Sequence, residues 1–234
     1  MKLIFNDEFQ YEGAPDAAKW DYDLGDHGWG NDESQNYTDS LKNAFVKNGK
    51  LYIVAKKTSD GYTSARLVTR GKFSFQYGRI EVSAKLPRGV GSWPAIWMLP
   101  DNINEKGWPL CGEIDIMEHV GKTEDTVVVS LHSQLYNHVK GTQRNYWGHL
   151  PNACNNFNTY ICQWDAEMIE FYYNNEKVAR FEKKDGDTSE EGWPFDQKFH
   201  LILNIAVGGS WGGPVIDDEA MPFVFEIDHV RVYQ

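Results

Sequence analysis

The chain has 234 residues, a formal net charge of −11 and 14% aromatic residues, including nine Trp. The acidic balance and the lack of any basic run argue against nucleic acid as a partner and favour a neutral polymer over a sulfated or carboxylated one. No apolar stretch is long enough to span a bilayer, so no membrane partner is expected, and the aromatic surplus is typical of carbohydrate binders and of protein interfaces.

Short runs with a period of two predict strands along the whole chain. In chain order they cover residues 51–55, 72–75, 79–86, 127–131, 161–164, 169–173, 201–207 and 223–233. Asn48-Gly49 and Asn174-Asn175 suit tight hairpins, because Asn and Gly tolerate positive φ. No window of eleven residues or more has a helical apolar stripe, so any helices are single turns, near residues 15–19 or in the loops. A long gap between predicted strands, at residues 134–159, predicts a functional loop.

These elements predict an all-β protein. Many antiparallel strands without a repeat or a linker indicate one domain over residues 1–234, built as two stacked sheets of the jelly-roll kind. The three cysteines, Cys111, Cys154 and Cys162, have no metal-ligand spacing and allow at most one disulfide, so the redox compartment stays open.

The segment Gly-Glu-Ile-Asp-Ile-Met-Glu-His holds three acids. On a regular strand Glu113 and Asp115 share one face and Glu118 falls on the other. One extra residue in a β-bulge, most simply at residues 116 and 117, would return Glu118 to the face of the other two. The pattern therefore predicts three carboxylates along one surface.

Adjacent carboxylates repel one another, so stability alone does not explain such a row. Retaining glycosidases need two carboxyl groups about 5 to 5.5 Å apart, one ionised and one protonated. A third acid between them could hold the nucleophile and help to keep the other acid protonated. A solvated strand face and a calcium site are the alternatives, although Ca²⁺ sites usually draw their ligands from loops.

Together with Ser-Trp-Pro-Ala-Ile-Trp-Met-Leu-Pro at residues 92–100, this segment closely resembles glycoside hydrolase family 16, specifically the laminarinase-type endo-β-1,3-glucanases. Further segments match in family order at residues 7–9, 28–33, 64–67, 78–81, 203–209 and 225–233. The resemblance implies a β-jelly roll of two curved antiparallel sheets, with the substrate in a cleft across the concave sheet. It implies no cofactor for catalysis.

The resemblance assigns a role to each acid. Glu113 corresponds to the nucleophile, Asp115 to its assisting partner, and Glu118 to the general acid that becomes the base in the second step. Family members specific for mixed-linkage 1,3-1,4-glucan and the plant xyloglucan enzymes generally lack the extra residue, which is Met117 here. The resemblance therefore favours β-1,3 cleavage, with mixed-linkage glucan as a second substrate.

Eight further positions resemble residues that bind sugar in the family's cleft: Asn31, Glu33, Arg66, Trp93, Trp97, His132, Asn204 and Trp211. Several have a plainer alternative. Trp97 lies in an apolar run that suits a core, and Glu33 could only brace its loop. Arg66 could be a surface ion pair, and His132 could be a structural histidine.

A structural Ca²⁺ ion is also implied. The matching positions are Glu8 and Gly49, through their backbone carbonyls, and Asp228; oxygen ligands suit this ion. The alternative is that Asp228 merely ends a strand pairing.

Other functions remain open on the sequence. They are a non-catalytic β-glucan-binding module, a family 16 galactan hydrolase and a transglycosylase. The chain start has no long apolar core of a signal peptide. Because a glucan polymer does not enter cells, we expect an extracellular protein whose leader precedes this numbering, and we expect a monomer.

Overall fold

The computed structural model describes residues 1–234, which form strands and loops with only short helical turns. The strands are β1 Leu3–Asp7, β2 Asp21–Tyr22, β3 Gln35–Tyr37, β4 Ala44–Lys47, β5 Lys50–Thr58, β6 Gly61–Ser64, β7 Arg66–Val68, β8 Gly78–Lys85, β9 Ser92–Pro100, β10 Glu113–Glu118, β11 Thr126–His132, β12 Arg144–His149, β13 Asn158–Trp164, β14 Met168–Tyr173, β15 Glu176–Glu182, β16 Phe199–Val207 and β17 Phe223–Tyr233. The helical turns are Gly28–Gly30, α1 Ile103–Lys106, Lys183–Asp185, α2 Gly209–Gly212 and Asp218–Ala220. None of them has the length and apolar character that crossing a bilayer requires.

The strands form two sheets. The ten-stranded sheet has the order β15-β14-β13-β8-β17-β5-β6-β3, with β1 on β17 and β4 on β5, and the seven-stranded sheet has the order β12-β11-β10-β9-β16-β7-β2. A core of 42 buried residues is drawn from both sheets. The predicted all-β jelly-roll sandwich is confirmed, with one departure. Strands β3 and β6 pair in parallel at the sheet edge, because two reversals of chain direction separate them.

The period of two directs the polar side chains of the smaller sheet into a cleft. On β9, Ile96 and Met98 belong to the core, whereas Trp93, Ala95 and Trp97 line the cleft. The same alternation between core and cleft holds along β11 and β16. Local sequence periodicity therefore decides which side chains reach the cleft surface.

Both predicted hairpins are present. Asn48 and Gly49 have φ values of 52° and 71°, and Asn174 and Asn175 have values of 50° and 69°, all in the left-handed region that two-residue hairpins need. The expected helical turn near residues 15–19 is a hydrogen-bonded turn, in which the N–H groups of Lys19 and Trp20 both donate to the carbonyl of Asp16.

One strand prediction and one loop prediction are wrong. Residues 72–75 are not a strand: Phe73 donates its N–H back to Thr69, and only Phe75 pairs with another chain segment, at Phe199. The alternating rings there pack as aromatic neighbours, with centroids 5.7 Å apart. Residues 134–159 are not one long loop, since they contain β12. Its six residues pair with β11 but include few apolar ones, because this edge strand is half exposed.

Candidate active site

The bulge predicted at residues 116 and 117 is present. Against β9, Asp115 lies opposite Trp97 and Met117 lies opposite Ile96. The extra residue is therefore Ile116, whereas the resemblance had implied Met117. Ile116 and Met117 are both fully buried in the core. Because two consecutive side chains point inward, Glu118 returns to the cleft face.

Two tryptophans hold the outer carboxylates. The indole Nε1 of Trp108 donates to Glu113 Oε2 at 2.7 Å. The indole Nε1 of Trp93 donates to Glu118 Oε1 at 3.2 Å. Each indole N–H favours the ionised form of its carboxylate and restricts its rotamer.

His132 lies opposite Glu113 on β11. Its Nε2 is 3.1 Å from Asp115 Oδ2 and 3.9 Å from Glu113 Oε1. The imidazole is buried, and its ring also contacts those of Trp108 and His138, with centroids 6.0 Å and 5.2 Å away. His132 is thus a neighbour of Glu113 and of Asp115.

The pKa values of all three acids are raised. Burial is the largest cause for each one. It raises the pKa of Glu113 to about 8, helped by the charge of Asp115. Burial raises the pKa of Glu118 to about 7, with the charge of Glu113 adding to it and His132 opposing it. Burial and the charge of Glu118 raise the pKa of Asp115 well above its usual range. Three such close acids titrate as one unit and retain protons near neutral pH.

The cleft has two arms that meet at Glu113 and Glu118. The arginine arm is lined by Trp29, Asn31, Glu33, Arg66, Trp97 and Asn204. The tryptophan arm is lined by His132, His138, Gln143, Asn145, Trp147, Ser210 and Trp211. Trp93 and Asn31 line both arms. All eight residues predicted to bind sugar therefore lie in one cleft with the three acids.

Arg66 is the centre of the arginine arm. Its guanidinium carbon lies 4.7 Å from the ring centroids of both Trp29 and Trp97. Its Nε donates to Asp23 at 3.1 Å, and the side chain is only 11% exposed, so it is not a surface ion pair. Trp97 also donates to Asn204 Oδ1 at 2.7 Å. Trp97 thus lines the cleft while one face of its ring is covered by Arg66.

Glu33 braces its loop. Its carboxylate accepts from Asn31 at 3.2 Å and from Gln35 at 2.7 Å. The Asn31 carbonyl in turn accepts the backbone N–H of Ser210 at 2.7 Å. These bonds tie the loop before β3 to the loop after β16, at the floor of both arms.

The tryptophan arm is a series of rings set edge to face. The ring centroids of Trp93 and Trp211 are 5.4 Å apart, and those of Trp211 and Trp147 are 5.7 Å apart. Trp147 is 52% exposed. An aromatic side chain this open to water, on a strand that faces a cleft, suits contact with the apolar face of a sugar.

Sequence reasoning missed several cleft residues. They are Trp29, Trp108, Ser130, His138, Gln143, Asn145, Trp147 and Ser210. Trp29 lies inside the matching segment 28–33, so its position was available. Trp108 lies five residues before Glu113 and had no strand pattern to mark it. Trp147 lies on β12, inside the range 134–159 that the sequence predicts to be a loop.

The three residues assigned to calcium lie at the larger sheet and do not line the cleft: Asp228 is in β17, Glu8 follows β1, and Gly49 is in the turn between β4 and β5. The Glu8 carboxylate is held by Arg231 in two bonds of 2.8 Å, which lower its pKa to about 2, whereas its carbonyl accepts Gln10 Nε2 at 3.0 Å. The same Nε2 is 3.1 Å from the position of a Cβ on Gly49. Asp228 lies within β17 at a register shift in the pairing with β8. It directly follows Ile227, the last residue of β17 that pairs with β5, which agrees with the alternative that it ends a strand pairing.

The three cysteines are all free and buried. Burial raises the pKa of the Cys111 thiol to about 12 and that of the Cys154 thiol to about 11. Buried protonated thiols are poor nucleophiles and poor metal ligands. The sequence had left room for one disulfide, and the structure has none.

Known proteins resemble this chain over its whole length. A β-glucanase of Rhodothermus marinus is 49% identical over 243 residues, covering 100% of this chain and 85% of that protein. The crystal structure of a laminarinase from Rhodothermus marinus superposes with a TM-score of 0.96 at 49% identity, covering 100% of this chain and 97% of that one. A laminarinase from Flavobacterium sp. UMI-01 superposes with a TM-score of 0.94 at 43% identity, with full coverage of both chains. A glucan endo-1,3-β-glucosidase A1 of Niallia circulans is 33% identical; the match covers 100% of this chain but only 38% of that protein.

The family comparison agrees with these relatives. Residues 31–218 match the model of the glycosyl hydrolases family 16. This range includes the three acids and every residue that lines the two arms apart from Trp29. The chain therefore belongs to glycosyl hydrolase family 16 and is a glycoside hydrolase.

Proposed function

We propose that this chain hydrolyses internal β-1,3 bonds of glucan with net retention at the anomeric carbon. The observation that carries the proposal is the β-bulge in β10, which puts Glu118 on the same face as Glu113 and Asp115 in the middle of an aromatic-lined cleft. The cleft runs past the acids in both directions, as cutting inside a polymer requires.

In the first step, Glu113 attacks the anomeric carbon. It must be ionised, and the bond from Trp108 supports that state. Asp115 is hydrogen-bonded to Glu113. When the shared proton resides on Asp115, it stabilises the Glu113 anion. Glu118, whose pKa is raised to about 7, carries the proton that passes to the leaving oxygen.

In the second step, water releases the sugar from Glu113. The leaving sugar has taken its proton from Glu118, which is now a carboxylate and accepts a proton from the incoming water. The oxygen of that water bonds to the anomeric carbon, and the ester bond to Glu113 breaks. Two inversions at this carbon give net retention.

The substrate class follows from the cleft lining. Exposed rings line the tryptophan arm and Arg66 is buried between two rings, so no cluster of free basic groups faces a polymer there. This lining suits a neutral glucan better than an anionic galactan. The extra residue in β10 and the similarity to proteins named β-glucanase and laminarinase favour β-1,3 bonds. Mixed-linkage 1,3-1,4-glucan is the second substrate that we propose.

The roles of the acids can be tested by substitution. We expect Glu113→Ala and Glu118→Ala each to lose at least about a thousandfold in kcat on laminarin, consistent with loss of nucleophilic or acid catalysis. Glu176→Ala, which changes an exposed carboxylate on β15, is the matched control and is expected to keep wild-type activity. Added azide should rescue Glu118→Ala and give a β-glucosyl azide. Near wild-type activity in either cleft variant would overturn the assignment.

The substrate can be tested by product analysis on laminarin, lichenan and agarose side by side. Release of reducing ends from laminarin, with the β-anomer formed first by NMR, is the expected result. Saturable binding to laminarin without reducing ends would favour a glucan-binding module. Release from agarose alone would favour a galactan hydrolase, and longer products from a short glucan would show transglycosylation.

We further propose a structural Ca²⁺ ion held by the backbone carbonyls of Glu8 and Gly49 and by Asp228. The register brings these residues together where β1, the β4–β5 hairpin and β17 meet. An all-oxygen donor set suits the ion, which would supply cross-linking between strands and no chemistry. We expect Ca²⁺ to raise Tm and Asp228→Ala to remove that effect.

We also propose that the protein acts outside the cell, because a glucan polymer does not cross membranes, and we propose that it is a monomer. The acidic net charge of −11 disfavours association between copies. Cell fractionation and light scattering test these two points.

A further inference from the structure

We propose that Glu113, Asp115 and His132 also form a binding site for Zn²⁺, and that this ion reversibly blocks hydrolysis. Metal binding itself stands on the geometry of the three side chains. Only the block of hydrolysis rests on the proposed function. The proposed metal site uses two of the three acids on β10, Glu113 and Asp115, which with Glu118 form the catalytic row.

The spacing of the ligand atoms fits the ion. One oxygen of Glu113, one of Asp115 and one ring nitrogen of His132 all lie within 4.8 Å of one another. The Nε2 of His132 is 3.1 Å from Asp115 Oδ2 and 3.9 Å from Glu113 Oε1. Tetrahedral ligands on bonds of about 2.0 to 2.2 Å are about 3.3 to 3.6 Å apart. The observed separations bracket that distance, so small side-chain rotations complete three corners of a tetrahedron.

The ligands are already oriented. Trp108 holds Glu113 Oε2, which leaves Oε1 on the side of His132. Asp115 is 2% exposed, and its Oδ2 is buried with no hydrogen-bond partner. An unpartnered buried carboxylate oxygen that faces an imidazole nitrogen is costly without a proton or a cation. A metal ion supplies the missing partner.

The donor set selects the metal. One imidazole nitrogen and two carboxylate oxygens suit Zn²⁺ and neighbouring transition metals. Ca²⁺ requires six to eight oxygens, and Mg²⁺ keeps several of its waters. The three side chains on β10 and β11 supply too few oxygens for Ca²⁺. The cleft floor leaves the fourth corner to water or to Glu118.

Coordination has a direct consequence for the reaction. A lone pair of Glu113 that is bound to Zn²⁺ cannot attack an anomeric carbon, and the ion occupies the space that the sugar must enter. Zn²⁺ and glucan therefore exclude each other. Inhibition should be competitive, and a chelator should reverse it.

One other thiol–imidazole contact must be controlled for in the inhibition assay. The Sγ of Cys154 lies 3.6 Å from His119 Nε2, and although its raised pKa makes this thiol a poor metal ligand, excess Zn²⁺ tests it. Cys154→Ser removes that contact and leaves the catalytic row unchanged, so it is the control variant. His132→Gln and His132→Asn both remove the imidazole from the proposed site, and two variants guard against a folding failure in either one.

The test combines calorimetry with kinetics. We expect wild-type and Cys154→Ser proteins to bind one Zn²⁺ and to show competitive inhibition on laminarin that EDTA reverses. Both His132 variants should bind at least about tenfold more weakly, and their residual activity should be correspondingly less sensitive to Zn²⁺. Ca²⁺ and Mg²⁺ should not inhibit.

Three results would overturn the proposal: no heat of Zn²⁺ binding, equal binding by the folded His132 variants, or loss of binding in Cys154→Ser. Zn²⁺ binding by a protein that fails to hydrolyse laminarin would leave the metal site standing and refute the proposed function. Hydrolysis without Zn²⁺ binding would support the proposed function and refute the metal site.

Discussion

Trp108 is the residue whose removal tests the electrostatics of the site most directly. Its indole N–H donates to Glu113 Oε2 at 2.7 Å and thereby lowers the pKa of that carboxyl, which burial raises to about 8. A hydrogen bond to a charged group contributes about 1.5 to 3 kcal/mol, and one pKa unit corresponds to about 1.36 kcal/mol. Trp108→Phe should therefore raise the pKa of Glu113 by about one to two units.

The assay is the pH dependence of kcat/KM on laminarin, whose acid limb reports the ionisation of the free nucleophile. In Trp108→Phe this limb should move to higher pH by about one to two units. The maximum should fall, because the pKa of Glu113 then lies further above the value of about 7 for Glu118, and a smaller fraction of the enzyme has Glu113 ionised while Glu118 keeps its proton. Trp20→Phe is the matched control. It also removes an indole N–H bond to a carboxylate, Asp7 at 2.9 Å, but lies in the core. It should lower Tm and leave the profile in place.

An acid limb that stays where it is in a folded Trp108→Phe protein would refute this reasoning. It would mean that the indole N–H does not act on the ionisation of Glu113. An equal shift in Trp20→Phe would mean that the profile reports general loosening of the fold.

Three further predictions concern other parts of the cleft. Folding raises the pKa of Glu113 from 4.5 to about 8, so the free energy of unfolding of the wild type falls as pH rises through this window. In urea denaturation, Glu113→Gln should therefore be more stable than the wild type by about 2 to 4 kcal/mol above pH 8 and by far less near pH 4. Arg66→Lys loses the planar group between two rings, and we expect a several-fold higher KM with kcat little changed in steady-state kinetics. Unchanged KM would exclude a role in binding. Trp147→Ala should weaken binding of long laminarin chains several-fold in calorimetry, with a change in the free energy of unfolding below about 0.5 kcal/mol. Tyr146→Ala changes the opposite face of β12 and should leave laminarin binding unchanged.

The position of the three acids could be predicted from the chain because it depends on parity. A strand alternates its side chains, and Glu118 is an odd number of residues from Glu113, so one inserted residue is required to bring both to one face. The inserted residue is Ile116. Trp93 and Trp97 share a face of β9 by the same rule, but it was the resemblance that assigned that face to the cleft. The hairpin at Asn48-Gly49 was predictable from turn chemistry.

Other features depend on contacts between distant parts of the chain. Residues 72–75 alternate as a strand does, but the neighbouring segment offers a partner only at Phe75. Strand β12 has weak alternation and forms because β11 presents an open edge to it. The covering of Trp97 by Arg66 requires β7 and β9 to lie on either side of β16. None of these arrangements is visible in the local order of residues.

The amino-acid sequence by itself determined the all-β class, the two hairpins, the bulge and the identity of the three acids, because period, parity and turn chemistry are properties of neighbouring residues. Only the tertiary structure decided which groups surround those acids. The bond from Trp108, the approach of His132 and the burial that raises three pKa values all depend on how the sheet orders its strands and how the loops close over them. The ionisation of the site is therefore a property of the folded molecule, because desolvation and Coulomb interactions depend on distances that only folding sets.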